Sequence, residues 1–168
     1  MHVVGLAPVV SPNATVLILG SMPGSQSLRA GQYYANRQNL FWLLMEEILG
    51  ISRDLAYDER MQTLQSKGVA VWDVLRECER AGSLDSAIVP ASEVPNDFAW
   101  LLTTYATILR ICFNGAKAKS AFERHVIPSL NPAILQRLTL LALPSTSPAN
   151  RYMPTDVKLE RWRAALTA

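Results

Sequence analysis

Thr15-Val16-Leu17-Ile18-Leu19-Gly20, running straight into Ser21-Met22-Pro23-Gly24, is the stretch on which the fold turns. A short aliphatic run closed by a glycine reads as a buried strand that delivers the chain into a loop. Downstream, Asn39 to Gly50 has helical apolar spacing, and Tyr57 to Lys67 reads as a second helix closed by Gly68. Val69 to Asp73 follows as a second strand. Arg76 to Asn96 is punctuated by Gly82, Ser83, Pro90 and Pro95 and reads as a long loop. Asp97 to Thr104 is then a short helix, Thr107 to Asn114 a third strand, Ala116 to Val126 a helix and Thr139 to Leu143 a fourth strand. Thr155 to Leu166 is the last helix, with Asp156 suited to the dipole of its first turn. Strands alternating with helices predict an α/β fold: a three-layer α/β/α sandwich around a central, mostly parallel four-stranded sheet. In such sheets, ligands bind beyond the carboxyl ends of the strands, so the loops after the four strands are where function is expected.

Composition narrows the class. At 168 residues the chain suits one domain, residues 1–168, and shows no internal repeat or linker. Its 49% hydrophobic and 18% charged residues predict a packed globule and exclude a fibrous or disordered chain. The formal charge of +2 tolerates a polyanionic partner without demanding one. Cys78 and Cys112 are the only cysteines and lack C-x-x-C spacing, which argues against a disulfide framework or a thiolate cluster. Met1 to Ala14 lacks the pattern of a secretory leader, and no run reaches about 18 apolar residues. A cytoplasmic protein that does not engage membranes is expected.

The loop after the first strand, Gly20 to Leu28, is rich in glycine and serine. It has neither a G-K-[ST] ending nor G-x-G-x-x-G spacing, so it matches no nucleotide fingerprint. Alone it would be a tight turn shaped by Pro23 and Gly24. It is followed, however, by Gln32-Tyr33-Tyr34-Ala35-Asn36-Arg37-Gln38-Asn39-Leu40-Phe41-Trp42, and much later by Leu143-Pro144-Ser145-Thr146-Ser147-Pro148-Ala149-Asn150. The G-S-M-P-G turn with Q-Y-Y-A and N-x-F-W resembles the first motif region of the uracil-DNA glycosylase superfamily, and within it the hypoxanthine-DNA glycosylase (deoxyinosine glycosylase) branch. The later segment is similar to the superfamily's second motif. The two lie in the expected order, each after a strand.

The resemblance implies hydrolysis of the N-glycosidic bond of a deaminated base, hypoxanthine or uracil, in DNA, leaving an abasic site. Such chemistry needs an extruded nucleotide, an aromatic wall, a positioned water and contacts to the departing base; it needs no metal or other cofactor. Tyr34 matches the position at which relatives stack a ring on the base, with Tyr33 as the alternative. Many relatives hold the water with Asp or Asn at the third motif position, where this chain has Met22; in the hypoxanthine branch the asparagine of N-x-F-W, here Asn39, takes that part. An amide orients water more than it deprotonates it. Asn39 could equally be the N-cap of the helix that follows it. Ser21 and Met22 are expected beside the base.

Asp73 stands where relatives read the base edge, and could instead cap a turn. Ser83 to Ile88 is expected to wall the pocket. Leu143 replaces the histidine that some relatives carry. Ser145, Thr146, Ser147, Pro148, Asn150 and Arg151 are expected to contact DNA. Asn114 and Gly115 open a helix whose N–H groups suit a phosphate, while Lys117 and Lys119 read as a solvated face. With no lysine in either motif, a Schiff-base lyase step is not expected. A monomer acting on duplex or single-stranded DNA is expected. The polar positions lost at Met22 and Leu143 leave two alternatives: a catalytically weak lesion-binding module, or a small α/β nucleotide-binding enzyme.

Overall fold

The computed structural model describes residues 1–168. Its centre is a parallel sheet of four strands: β2 (Val16–Gly20), β3 (Val69–Asp73), β6 (Arg110–Asn114) and β7 (Thr139–Leu143), in the order β3-β2-β6-β7. Every residue of β2 and β3 is buried, as expected of aliphatic strands covered on both faces. The register pairs Gly20 with Asp73, and Asn114 with Leu143. Four strand ends therefore finish at one edge.

Helices α1 (Ser25–Ala30), α2 (Phe41–Leu49), α3 (Tyr57–Ser66), α4 (Phe98–Thr104), α5 (Ala116–His125), α6 (Pro132–Arg137) and α7 (Thr155–Leu166) complete the chain. Trp72 and Phe113 share a row of the sheet through Leu19 and meet Phe98 of α4 and Phe122 of α5. These contacts form one outer layer. On α2 and α7, Phe41 packs edge-on against Trp162, whose indole N–H donates to the carbonyl of Pro144. The sandwich is as expected, with the central sheet wholly parallel.

Two local expectations are corrected. Arg76 to Asn96 is not simply loop: β4 (Leu75–Glu79) pairs antiparallel with β1 (His2–Val4) and with β5 (Val94–Pro95), making a second, three-stranded sheet. Its strands are short and carry Arg76, Glu77 and Glu79, so no apolar run announces them. The loop after β2 also contains α1, six residues without helical apolar periodicity.

α7 holds the loop after β7 from behind. Lys158 is 1% exposed, and its ammonium donates to the carbonyls of Ser145 (2.9 Å) and Asn150 (2.6 Å). A buried ammonium is tolerated only with such partners. Replacing Lys158 with Met is expected to keep the packing volume, lower stability by about 1–3 kcal/mol and speed amide exchange from Ser145 to Asn150. Urea denaturation and hydrogen–deuterium exchange measure the two effects.

Candidate active site

A cleft of about 1040 Å³ opens at the carboxyl ends of the parallel strands, lined by the loop after β2, the segment before α2, Asp73, the turn at Ser83 to Ser86, Asn114 and the loop after β7. The two sequence motifs, far apart in the chain, are its opposing walls.

Asp73 lies on its floor. Backbone bonds from Val74 to Gly20 and from Leu75 to Ser21 fix the chain there, and the Asn96 amide donates to the Asp73 carbonyl at 2.8 Å. The carboxyl is buried, 4% exposed, and its Oδ2 has no hydrogen-bond partner. No backbone N–H reaches it, and β4 follows, so the capping alternative falls. Asp73 Oδ1 sits 2.4 Å from where a Cβ on Gly20 would be, and the Tyr34 hydroxyl 3.4 Å from the same point. Only glycine admits this approach. Burial pushes the Asp73 carboxyl up to about 7; the nearby charge of Asp85 adds to the rise and the Arg80 guanidinium opposes it.

Tyr34 adopts φ 55°, the only non-glycine residue with positive φ. That is an outlier for a bulky side chain and marks a position held by its surroundings. Its ring stacks on Phe41, centroids 4.0 Å apart, and its hydroxyl is buried without a partner. Tyr33 is committed to the core: it is 3% exposed, and its hydroxyl donates to the Ala7 carbonyl at 2.7 Å. Of the two tyrosines, only Tyr34 keeps an unengaged hydroxyl.

Asn39 lies on the wall before α2. The helix begins at Phe41, two residues later than expected, and the Phe41 N–H donates to Asn39 Oδ1 at 2.9 Å. Leu40 holds the cap position, so Asn39 is not the N-cap; its bond to the N–H of the first helical residue steadies the start of α2 and uses one lone pair of the amide oxygen, while no protein group binds the side-chain NH2. Ser21 donates to Asp85 at 2.5 Å, and Met22 is 6% exposed, with its sulfur against Gly5. Both line the cleft, yet Met22 is chiefly a core residue.

In the loop after β7, Ser145, Ser147, Pro148, Asn150 and Arg151 line the cleft as expected. Thr146 also borders the cleft, but its side chain is turned to a structural task. It is fully buried: its hydroxyl accepts from the Asn114 amide, its N–H donates to Asn114 Oδ1, and its carbonyl accepts from the Leu40 N–H. The Asn114 side chain is engaged on this pair. Gly115, at φ 97°, lets the same loop pack close, since a Cβ there would stand 3.0 Å from that of Ser145.

Three features escaped the sequence reading. Arg80 is 1% exposed, donating to the carbonyls of Gly82 (2.9 Å) and Pro23 (2.6 Å), with its third nitrogen unpartnered. Nothing in the sequence marked it, because it directly follows a charged strand, β4, that looked like loop. Asp85 lay in the segment expected to wall the pocket, but its bond to Ser21 had no sequence signal. Lys117 belongs to no solvated face: it is ion-paired with the buried Glu93 carboxylate, which His125 also meets at 2.7 Å. Lys119 pairs with Glu123 on the exposed side of α5, as expected.

A carboxyl raised from 3.8 to about 7 binds its proton more tightly folded than unfolded. It therefore costs stability as pH climbs through the window from about 4 to about 7. The Asp73→Asn variant is expected to escape this loss, so that its advantage over wild type grows across that window and levels off above it. Denaturation midpoints at a series of pH values would measure the difference.

The chain is similar to several known proteins. The hypoxanthine DNA glycosylase of Methanosarcina acetivorans is 37% identical over 138 residues, 77% of this chain and 86% of that protein. Its counterpart from Methanosarcina barkeri is 35% identical over 115 residues, covering 68% and 72%. A solution NMR structure of a Methanosarcina acetivorans protein, provisionally assigned as a uracil DNA glycosylase, superposes with a TM-score of 0.82 at 34% identity, covering 99% of this chain and 97% of that one. The profile of the uracil DNA glycosylase superfamily matches residues 7–166, and the chain belongs to that superfamily.

Proposed function

We propose that the protein is a monofunctional DNA N-glycosylase that hydrolyses deaminated bases, hypoxanthine first and uracil second, out of DNA and leaves an abasic site. The observation that carries the reading is the convergence of Tyr34, Asn39 and Asp73 on one cleft between the two motif loops. Its relatives named hypoxanthine DNA glycosylase support the choice of base.

Inside the cleft, the extruded base stacks on Tyr34, an interaction of about 1–3 kcal/mol in comparable sites. Asn39 orients the attacking water through the second lone pair of its oxygen and through its free NH2, while the first lone pair keeps the start of α2 in place. Ser21 and Asp73 face the base. Ser145, Ser147, Pro148, Asn150 and Arg151 meet the DNA strand, with backbone and hydroxyl groups on phosphates and the Arg151 charge at the exposed rim. Lys117 is the lysine that lines the cleft, and it is engaged in an ion pair with the buried Glu93 carboxylate. Strand cleavage by a Schiff base is accordingly outside this mechanism. The cleft is built within one chain, which suits a monomer. No helix is long and apolar enough to cross a membrane, and the proposed site of action is the cytoplasm.

Oligonucleotides carrying one hypoxanthine or uracil are expected to gain an alkali-labile site on incubation with the protein, and no nick before alkali. Absence of alkali-dependent cleavage on both would sink the proposal. In the Asn39→Ala variant, single-turnover excision is expected to fall about a hundredfold while stability drops by only about 1 kcal/mol. A variant that retains the wild-type rate would remove Asn39 from the mechanism.

A further inference from the structure

Breaking the C1′–N bond leaves its electron pair on the base, and a proton or a strong donor placed there lowers the barrier. The cleft contains no imidazole. Leu143 is buried at the end of β7, His125 is held by Glu93, and His2 lies on the small sheet beside Glu77 and Glu79. Lys117 is bound to Glu93, and Ser21 is already donating to Asp85. The Tyr34 hydroxyl is pushed above its ordinary value by burial and by the charge of Asp73, which makes it a poor acid at neutral pH.

One group remains. The Asp73 carboxyl lines the cleft floor, and no protein group binds its Oδ2, although structural carboxyls at such depth are nearly always satisfied. The geometry points to Asp73 as the general acid that donates its proton to the departing base. The inference rests on the proposed glycosylase activity and adds a catalytic role to base reading.

In the step, the C1′–N bond breaks with its electron pair on the base, and the Asp73 O–H proton passes to the base atom on which that charge collects. The water oxygen held by Asn39 bonds to C1′. The proton shed by the water enters the solvent of the cleft, and Asp73 is reprotonated from it. The net reaction is nucleotide plus water to free base plus abasic sugar.

Such an acid must carry its proton at working pH, and the surroundings are arranged for that. Asp85, from the turn after β4, faces Asp73 as a like charge; Tyr34 and Tyr33, from the segment before α2, add apolar rings; Arg80, just beyond β4, supplies the one opposing cation. Together they leave the carboxyl at about 7.

The test is single-turnover release of uracil and hypoxanthine from about pH 5.5 to about pH 9, by wild type and by Asp73→Asn. Wild type is expected to hold its rate up to about pH 7 and to lose about tenfold per unit above it. The variant is expected to be slower by about a hundredfold near pH 6 and flat with pH. At about pH 6 its loss should shrink to about tenfold on 5-fluorouracil, which carries the leaving charge more easily. A group that only reads the base would give equal losses on uracil and 5-fluorouracil, and that result overturns the inference. So does a wild-type rate that rises with pH through 7, the mark of a general base, or a variant with the wild-type rate. Should the variant fail to fold, the wild-type profile and its shallower alkaline decline on 5-fluorouracil carry the test. A wild type that releases no base at any pH defeats the glycosylase proposal itself, an outcome distinct from all the others.

Discussion

Two hydrogen bonds between Asn114 and Thr146, each 2.9 Å and running in opposite directions, hold the two halves of the cleft together. Asn114 ends β6; Thr146 belongs to the loop after β7; and the Thr146 carbonyl accepts from Leu40, next to Asn39. A single buried threonine thus couples three segments distant in sequence. Every polar group it owns is satisfied, which is the condition under which a buried network rigidifies a site and does not weaken it. The spacing between Asn39 and the loop after β7 on the opposite wall follows from this tie. Lys158 and Trp162 of α7 brace the same loop from the other side, so the wall is clamped front and back.

The floor is built on the opposite principle. Asp73 Oδ2, the Tyr34 hydroxyl and one Arg80 nitrogen are all buried and all lack partners. Leaving buried polar groups unpaired costs on the order of 1–3 kcal/mol each, and the left-handed backbone at Tyr34 adds strain. Such a concentration of unmet demand at one place is what a site pre-arranged for a polar ligand looks like. The flat edge of a nucleobase, with its alternating donors and acceptors, is suited to meet it.

How much of this was readable beforehand follows physical lines. The central sheet announced itself because strands covered on both faces must be aliphatic, and the runs at Val16 and Val69 are continuous, as is the run at the half-buried edge strand from Thr139. Asp73 was legible at the end of such a strand, whereas Tyr34 and Asn39, in the segment before α2, were legible only through the resemblance of their motif. The small sheet was not, because its strands alternate charge with apolar residues and pair with segments on either side of it in the chain. Thr146 and Ser147 are both small hydroxyl residues of one loop, yet Thr146 is fully buried and Ser147 is partly exposed. Arg80 shows the same limit: burial of a cation is settled by carbonyls contributed from elsewhere, at Pro23 and Gly82.

The contact between Gly20 and Asp73 has a consequence for how the protein can change over generations. With Asp73 Oδ1 2.4 Å from the place of a Gly20 Cβ, neither residue is free to vary alone. A side chain at 20 evicts the carboxyl at 73, and a larger residue at 73 finds no room over the glycine. Effects at the two positions should be non-additive, as for any pair in direct contact. They constitute one heritable unit, and descendants with a different residue at the end of β3 should show matching changes at the end of β2.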